Sequence, residues 1–271
     1  MFWDQHMHCN FSGDSDALPE DMIKAGIAHG LSGICFTDHL DYDYPEEPNI
    51  FLLDFDNYFK VLPDLRKKYA DKISVNIGIE LGLQPQAAGQ NLAVAEKYPF
   101  DFIIGSSHVV NHMDPYYPEF FAGRDEDAAY MEYFESVLEN INSGVDFDVY
   151  GHIDYVVRYG PNKNAFYTYE KFKDIIDEIL TQLISKGKGI EVNTACMGVL
   201  IEETMPDLPI LELYRELGGS IITLGSDAHT PDRIGYGFEQ ARKKLLKAGF
   251  TQITVYEKRV PRQISLAEMT E

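Results

Sequence analysis

The sequence predicts an α/β protein in which βα units repeat around a parallel sheet. Short apolar runs rich in β-branched residues alternate with longer stretches of helical periodicity along the whole chain. The length of 271 residues suits one large α/β barrel or two small domains. Because no internal repeat or low-complexity linker divides the chain, we expect a single barrel domain over residues 1–271.

Seven apolar runs have the length expected of buried strands, and an eighth is a candidate for closing the structure. The seven are residues 2–8, 33–39, 73–81, 100–108, 145–153, 189–194 and 220–227, and the eighth is residues 251–256. Helical periodicity predicts helices over residues 19–30, 54–69, 90–97, 125–142, 169–186, 206–217 and 232–248. The predicted order of elements is therefore a regular alternation of strand and helix.

Charge and composition narrow the classes of partner. The chain has 44 acidic and 23 basic residues and a formal charge of -21, which would repel a nucleic-acid backbone. Its three cysteines form no CxxC pair, so neither a disulfide framework nor a thiolate zinc site is expected. No apolar run reaches the roughly 18 to 20 residues of a membrane helix, and the N-terminus has no secretory pattern. We therefore expect a cytoplasmic protein that binds neither nucleic acid nor membrane.

Histidines and acids gather where the predicted strands end. Parallel barrels place their catalytic groups at the C-terminal ends of the strands, and six of the eight histidines fall there. In an extended strand, residues two apart face the same side, so His6 with His8 and Asp227 with His229 can each chelate one ion. Further strand ends carry His39, Glu80, His108 and His152.

Imidazoles and carboxylates suit divalent ions such as zinc, manganese or iron, and these residues exceed what one ion requires. A single pair of alternating histidines would be a weak signal, because such pairs also occur on exposed strand faces. Its combination with four further strand-end motifs predicts a multinuclear site. Such a site suits phosphate esters, because bound metal ions polarise ester oxygens and lower the pKa of bound water.

The motif order HxH, TDH, GxE, GSSH, GHID and SDAH resembles the PHP superfamily of phosphoesterases over almost the whole chain. Within it, the segments GHIDYVVRYG at 151–160 and EVNTACM at 191–197 are similar to those of histidinol-phosphate phosphatases. The resemblance implies a distorted (β/α)7 barrel with three divalent metal ions. It also implies hydrolysis of L-histidinol phosphate in histidine biosynthesis, by a metal-bridging hydroxide that attacks phosphorus.

Carried over position by position, the resemblance assigns nine metal ligands. One ion would be held by His6, His8, Glu80 and Asp227, a second by the bridging Glu80 with His108 and His152, and a third by Asp14, His39 and His229. Asp14 lies six residues after His8, where the superfamily has Asp or His, and Asp16 is a competing acid. The catalytic roles would fall to Glu80, Asp227 and His229, and the proton donor to the leaving alcohol stays open among Asp227, His229 and a metal-bound water.

Three residues are candidates for binding the substrate. Arg158 follows the His152 strand, and its planar fork of donors suits a phosphate, although a surface salt bridge is the alternative. Asn193 either binds the substrate or ends its strand, and Arg124 either binds phosphate or is a solvated loop charge. The aromatic-rich residues 114–121 either wall the pocket or cover the barrel rim.

Several polar residues have ordinary structural interpretations. Asp38, Asp41 and Asp154 either orient ligand histidines or cap loops. We expect His29 to interact with the carbonyls that end its helix and His112 to lie in a polar loop, so neither is a predicted ligand.

Two other functions remain open at this point. One is a PHP phosphoesterase that acts on another small ester, such as a nucleotide, a sugar phosphate or phosphotyrosine. The other is a metal-binding barrel without activity, which is disfavoured because no ligand position is missing. The expected partner is a small phosphoester, and the oligomeric state is open.

Overall fold

The computed structural model describes residues 2–269, in which strands and helices alternate from the N-terminus. The strands are β1 (Trp3–Met7), β2 (Gly33–Phe36), β3 (His39–Asp41), β4 (Ser74–Ile77), β5 (Ile79–Gly82), β6 (Ile103–Ser106), β7 (Val149–Tyr150), β8 (Gly189–Asn193), β9 (Ile222–Gly225), β10 (Gln252–Glu257) and β11 (Val260–Ser265). The α-helices are α1 (Pro19–Ala28), α2 (Phe55–Tyr69), α3 (Ala88–Lys97), α4 (Glu126–Ile141), α5 (Lys173–Ser185), α6 (Leu208–Glu216) and α7 (Phe238–Lys247).

Two parallel sheets form the barrel wall, with strand orders β1-β2-β4 and β3-β5-β6-β7-β8-β9. The predicted strand 33–39 is interrupted into β2 and β3, and the predicted strand 73–81 into β4 and β5. Backbone hydrogen bonds continue across both interruptions, from Thr37 N to Met7 O and from Glu80 N to Asp38 O. The two sheets therefore follow one another around the same wall.

The outer strands of the two sheets, β1 and β9, meet through the residues that follow β9. Asp227 N donates to His6 O at 2.8 Å, and His8 N donates to Ala228 O at 2.9 Å. Met7 also pairs with Ala228 in a parallel bridge. The ring thus returns to β1 after seven strand positions, and the predicted (β/α)7 barrel fold is confirmed.

The eighth predicted strand does not enter this ring, so its expected closing role is wrong. It forms β10, which pairs antiparallel with β11. Side chains of the barrel hold the hairpin: Gln5 bonds the backbone of Thr254 and Tyr256, and Asn76 Nδ2 donates to Tyr256 O. The Tyr256 ring stacks on Phe102, with centroids 5.0 Å apart. The hairpin therefore covers the barrel end opposite the C-terminal ends of the strands.

Three helices begin two or more residues later than predicted. The segment before α7 has Gly235 and Gly237 at φ 68° and 75°, a left-handed conformation that prevents the helix from starting at residue 232. A short 3₁₀ turn at Tyr169–Lys171 precedes α5, and α6 begins at Leu208 rather than at residue 206. Among residues 2–269, no helix is both long enough and apolar enough to cross a membrane.

Candidate metal centre

A cavity of about 390 Å³ opens at the C-terminal ends of the barrel strands. Its lining includes many of the predicted site residues: Asp14, His39, His108, His152, Arg158, Asp227 and His229. His6, His8 and Glu80 are fully buried and adjoin these side chains. All nine predicted ligands therefore lie at one end of the barrel.

The first predicted ligand set converges on one point. Glu80 Oε2 lies 3.3 Å from His6 Nε2 and 3.6 Å from His8 Nε2. Asp227 Oδ1 approaches the same two nitrogens at 3.6 and 3.2 Å. Donor atoms bound about 2.0 to 2.2 Å from one tetrahedral ion are separated by similar distances. These four side chains can therefore hold a single metal ion.

The other carboxylate oxygen of Glu80 faces a second pair of histidines. Glu80 Oε1 lies 3.3 Å from His108 Nε2 and 3.0 Å from His152 Nε2. The Ser106 hydroxyl donates to the same oxygen at 2.7 Å, which helps to hold the carboxylate in place. Glu80 thus presents one oxygen to each of two imidazole pairs, as a bridging ligand requires.

Asp14, His39 and His229 form the outer part of the centre. Asp14 Oδ2 lies 3.1 Å from His229 Nε2 and 3.6 Å from His39 Nε2. The His8 ring stacks against both imidazoles, with centroids 4.3 Å from His39 and 4.2 Å from His229. Both Asp14 and Asp16 are exposed, but it is Asp14 that approaches the histidines.

Hydrogen bonds on the far side of the rings orient four of these histidines. In each case Nδ1 has an acceptor: Glu191 Oε1 for His6 at 2.6 Å, Ser12 Oγ for His8 at 3.0 Å, Asp41 Oδ1 for His108 at 2.9 Å, and the Asp227 carbonyl for His229 at 3.0 Å. A proton held on Nδ1 leaves the Nε2 lone pair free to bind a metal. The Nε2 atoms are the ones that converge.

Glu191 is a positioning residue that the sequence did not single out. It bonds His6 through one oxygen, and its other oxygen accepts from the backbone N of His152 at 3.0 Å. Gly225 makes room for this pair, because a Cβ at that position would collide with Glu191 and His6. A signal was available, since Glu191 lies two residues before Asn193 on the same strand face.

Burial and the mutual placement of charges keep His8 neutral and two of the acids ionised. The carboxylates in turn overcome the effect of burial and raise the pKa of His6, His39 and His108, so a metal ion would displace protons from these rings. Burial lowers the pKa of His8 to about 3, which keeps its ring neutral. Burial opposes ionisation of Asp41, but the His108 and His39 imidazoles lower its pKa to about 2. Burial likewise opposes ionisation of Glu80, and His6, His108 and His39 hold its pKa well below the usual range.

Several buried atoms of this cluster lack a hydrogen-bond partner. They are Glu80 Oε2, Asp41 Oδ2, His39 Nδ1 and His152 Nδ1. His39 Nδ1 and Glu80 Oε2 are only 3.0 Å apart, yet neither makes a hydrogen bond. Buried polar groups are normally satisfied by a hydrogen bond or a metal. The imidazole and carboxylate donors therefore fit divalent metal ions.

Asp227 has a left-handed backbone, with φ of 52°. Asp and Asn tolerate this conformation better than other residues that have a Cβ. It follows directly after β9, at the point where the chain bonds to β1. The turn places the carboxylate against His6 and His8 at one side of the cavity.

The three predicted substrate-binding residues have different surroundings. Arg158 lines the cavity, and its Nε and Nη2 are buried without a partner. Asn193 donates to Glu191 and Asp227, both at 3.2 Å, so its amide orients the acids instead of facing the cavity. Arg124 pairs with Glu132 and lies outside the cavity lining, and we leave it out of the proposed substrate site.

The remaining polar residues differ in whether they contact a ligand histidine. Asp41 bonds His108 directly, whereas Asp38 reaches His8 only through the Ser12 hydroxyl. Asp154 makes no hydrogen bond to a ligand histidine.

Of the aromatic-rich segment 114–121, three residues line the cavity: Asp114, Tyr116 and Tyr117. His29 bonds the Ile234 carbonyl, and His112 is exposed, so both lie outside the centre.

Comparison with known proteins identifies the family. The model of the PHP domain matches residues 4–195. The chain belongs to the PHP-domain family. This PHP-domain chain is 34% identical over 255 residues to a histidinol-phosphatase of Lactococcus lactis, with 93% of each protein covered. It is 33% identical over 261 residues to a probable histidinol-phosphatase of Clostridium acetobutylicum, covering 96% of this chain and 98% of that protein.

Solved structures agree with the family assignment. The crystal structure of the Lactococcus lactis histidinol phosphate phosphatase, in complex with zinc, L-histidinol and phosphate, matches this PHP-domain chain with a TM-score of 0.90. That match has 32% sequence identity and covers 96% of this chain and 98% of the other. A Listeria monocytogenes protein described as a putative histidinol phosphatase gives a TM-score of 0.77 at 21% identity, which shows the shared fold. The predicted resemblance to histidinol-phosphate phosphatases is confirmed.

Proposed function

We propose that this protein hydrolyses L-histidinol phosphate to L-histidinol and phosphate in histidine biosynthesis. The observation that carries the proposal is the match to the Lactococcus lactis structure, which holds zinc, L-histidinol and phosphate. That match extends over 96% of this chain. The buried cluster of imidazoles and carboxylates supplies donors for the metal ions that such a reaction uses.

The ligand arrangement supports three divalent ions, of zinc, manganese or iron. We propose the ligand sets His6, His8, Glu80 and Asp227 for the first, Glu80, His108 and His152 for the second, and Asp14, His39 and His229 for the third. When bound, such ions polarise the phosphate oxygens and lower the pKa of bound water. Hydrogen bonds from the ligand histidines to Glu191, Ser12 and Asp41 fix this arrangement.

Arg158 is the proposed phosphate-binding residue. Its guanidinium lies over the Tyr155 ring at 4.8 Å, and Nη1 is 3.6 Å from Asp227 Oδ2. Its unpartnered Nε and Nη2 can donate to two phosphate oxygens. Asp227 and His229 also line the cavity, and the proton donor to the leaving alkoxide stays open between these two side chains and a metal-bound water.

A phosphoester panel tests this function. The purified protein, loaded in turn with zinc, manganese or iron, would be assayed for phosphate release from L-histidinol phosphate, a nucleotide, a sugar phosphate and phosphotyrosine. We expect the highest kcat/KM with L-histidinol phosphate. Faster hydrolysis of another ester would refute the assigned substrate but not the phosphoesterase activity. The absence of phosphate release from every ester would refute the enzyme class.

Elemental analysis of the same preparation tests the number of metal ions. We expect about three divalent ions for each chain under metal-saturating conditions, because the ligands form three sets. A limiting count of one would contradict the proposal. The cytoplasmic location stays a prediction from the sequence.

A further inference from the structure

The cavity has a second wall that the metal centre does not use. Facing the histidines are the acid Asp114 and the rings of Tyr44, Tyr116 and Tyr155. Two exposed acids, Glu46 and Glu47, also line this side. Of the lining side chains within residues 2–269, Arg158 is the one Arg or Lys, and it lies beside Asp227. This wall is therefore acidic and aromatic.

Asp114 is the buried acid of this wall, with 4% of its surface exposed. Its Oδ2 accepts from the Tyr44 hydroxyl at 2.8 Å. Its Oδ1 accepts from the Tyr155 hydroxyl at 3.0 Å and from the backbone N of Tyr116 at 2.7 Å. Three donors from three separate parts of the wall thus hold the carboxylate in one orientation.

No cation neutralises this carboxylate in the described part of the chain. Asp114 forms hydrogen bonds to tyrosines and to the backbone, but no ion pair with a Lys, Arg or His among residues 2–269. Burial raises its pKa, although its three hydrogen bonds and the more distant His108 imidazole oppose the shift. A carboxylate oxygen has more than one acceptor position, so Oδ2 can accept a further donor beside Tyr44.

The chemistry of this wall suits a positively charged nitrogen. A cationic N–H group would give Asp114 the counter-charge that it lacks, and charge-assisted hydrogen bonds are about twice as strong as neutral ones. Tyrosine rings attract cations through their π faces. The outer acids Glu46 and Glu47 add to the negative potential at the mouth.

We propose that Asp114 is a specificity-determining residue, which binds the positively charged nitrogen of a cationic phosphomonoester while the metal centre and Arg158 hold its phosphate. This inference rests on the proposed function, because L-histidinol phosphate carries an ammonium group on the carbon next to its ester CH2 group and an imidazole at the end remote from its phosphate. A phosphomonoester without a cation would use the metal centre and Arg158 alone. Asp114 therefore selects among substrates.

The test compares two substrates in Asp114→Asn, which keeps the shape of the side chain and removes its charge. Kinetics of the metal-loaded enzyme would be measured with L-histidinol phosphate and with phenyl phosphate, which has no cationic group. We expect kcat/KM for L-histidinol phosphate to fall about 10- to 100-fold more than that for phenyl phosphate, chiefly through KM. Glu119→Gln removes an exposed acid of the same segment outside the cavity lining and should leave both values unchanged.

A second variant separates binding from a merely structural role. Tyr44→Phe removes one hydrogen bond to Asp114 but leaves the charge, so the preference for the cationic ester should persist. Equal losses on both esters in Asp114→Asn, or a loss of preference in Tyr44→Phe as large as that in Asp114→Asn, would overturn the proposal.

Failure of the proposed function gives a different result. Wild-type enzyme would then hydrolyse phenyl phosphate but not L-histidinol phosphate. Phosphoethanolamine and ethyl phosphate, which differ in one ammonium group, would replace the two esters in that case. A preference for phosphoethanolamine that Asp114→Asn removes would still support the role of Asp114, and the absence of any such preference would refute it.

Discussion

The same strands line both ends of the barrel interior, but buried polar groups are unpartnered at one end and hydrogen-bonded at the other. At the C-terminal end, Glu80 and the surrounding histidines are buried with several polar atoms unpartnered. At the other end, Gln5 and Asn76 are hydrogen-bonded to the β10–β11 hairpin, and Tyr256 stacks on Phe102. One end thus offers unpartnered groups to a ligand, whereas the other end is packed against the hairpin.

This difference indicates where mutations should separate activity from stability. Unsatisfied buried polar groups are costly unless a ligand completes them, so changes at the C-terminal end should affect metal binding and turnover. Changes at the hairpin end should affect the free energy of unfolding, because that end is packed and satisfied. The first three predictions that follow test this separation and the fourth tests an acid outside the centre, in order from the largest expected effect to the smallest.

Glu80→Ala should reduce kcat/KM for every phosphoester by about 10³-fold or more, because it removes the carboxylate shared by two ligand sets. Phosphate release and elemental analysis on the same preparation would show both losses together. The exposed Glu139→Ala serves as the control for removal of an acid. Near-native turnover of Glu80→Ala with a full set of metal ions would contradict the ligand assignment.

Tyr256→Ala should lower the free energy of unfolding by about 3 to 5 kcal/mol, as is typical when a large buried aromatic ring is removed. Urea denaturation measures this change, and Tyr256→Phe, which retains the stacked ring, should recover most of the stability. The folded fraction should keep its kcat and its metal content. A folded Tyr256→Ala protein without activity would show that the two ends are not separable.

Glu191→Gln should weaken metal binding by about 10- to 100-fold, because His6 loses the charged acceptor on its Nδ1. A competition titration with a chelator measures the affinity, and excess metal should restore most of the activity. Glu191 is not a predicted ligand, so the number of bound ions at saturation should stay the same. Unchanged affinity would mean that this hydrogen bond does not tune the centre.

Asp207→Asn should remove a pH-dependent contribution to the free energy of unfolding, which for this partly exposed carboxyl is at most about 3 kcal/mol between pH 4 and 6. Burial raises the pKa of Asp207 to about 6, although Ile210 N and Lys244 oppose the shift. Because this folded-state pKa exceeds the unfolded value of about 3.8, the folded protein holds more protons between pH 4 and 6. Wild-type stability should therefore decline as the pH rises through that window, and the variant should decline less.

Urea denaturation at intervals from pH 4 to 7 would measure the two slopes. Asp207 makes a useful contrast with Asp41, a buried aspartate whose pKa the neighbouring imidazoles lower to about 2. The contrast isolates the effect of the histidines from the effect of burial. Parallel curves for wild type and Asp207→Asn would refute the raised pKa.

The sequence located the barrel strands but not the interruptions at 37–38 and 78. Apolar residues stand on both sides of each point, but the polar Thr37 and Asp38 and the glycine at position 78 were signals of a break that went unused. It also missed β11, whose residues are mostly exposed and include Pro261. The preceding turn has Lys258 and Arg259 at positive φ, in place of the Asn or Gly that usually predicts a hairpin.

The sequence was enough to predict that the ligands lie on one rim, because the ends of the strands can be identified from the local pattern of residues. Contacts between residues on distant strands cannot be predicted from a local pattern. Glu191 bonds His6 across 185 residues, and no local pattern links the two. Arg124 and Arg158 both follow strands of the active rim, but only the position of the partner Glu132 reveals that Arg124 is directed elsewhere.

The hydrogen bonds between β1 and the residues after β9 have a consequence for assembly of the protein. His6 and Asp227 stand near opposite ends of the chain, and their side chains approach only when the ring of strands is complete. A centre divided in this way cannot form on a partly synthesised or partly folded chain. Metal would therefore bind late in folding. Because it would bind only completed barrels, it would stabilise them relative to incomplete ones.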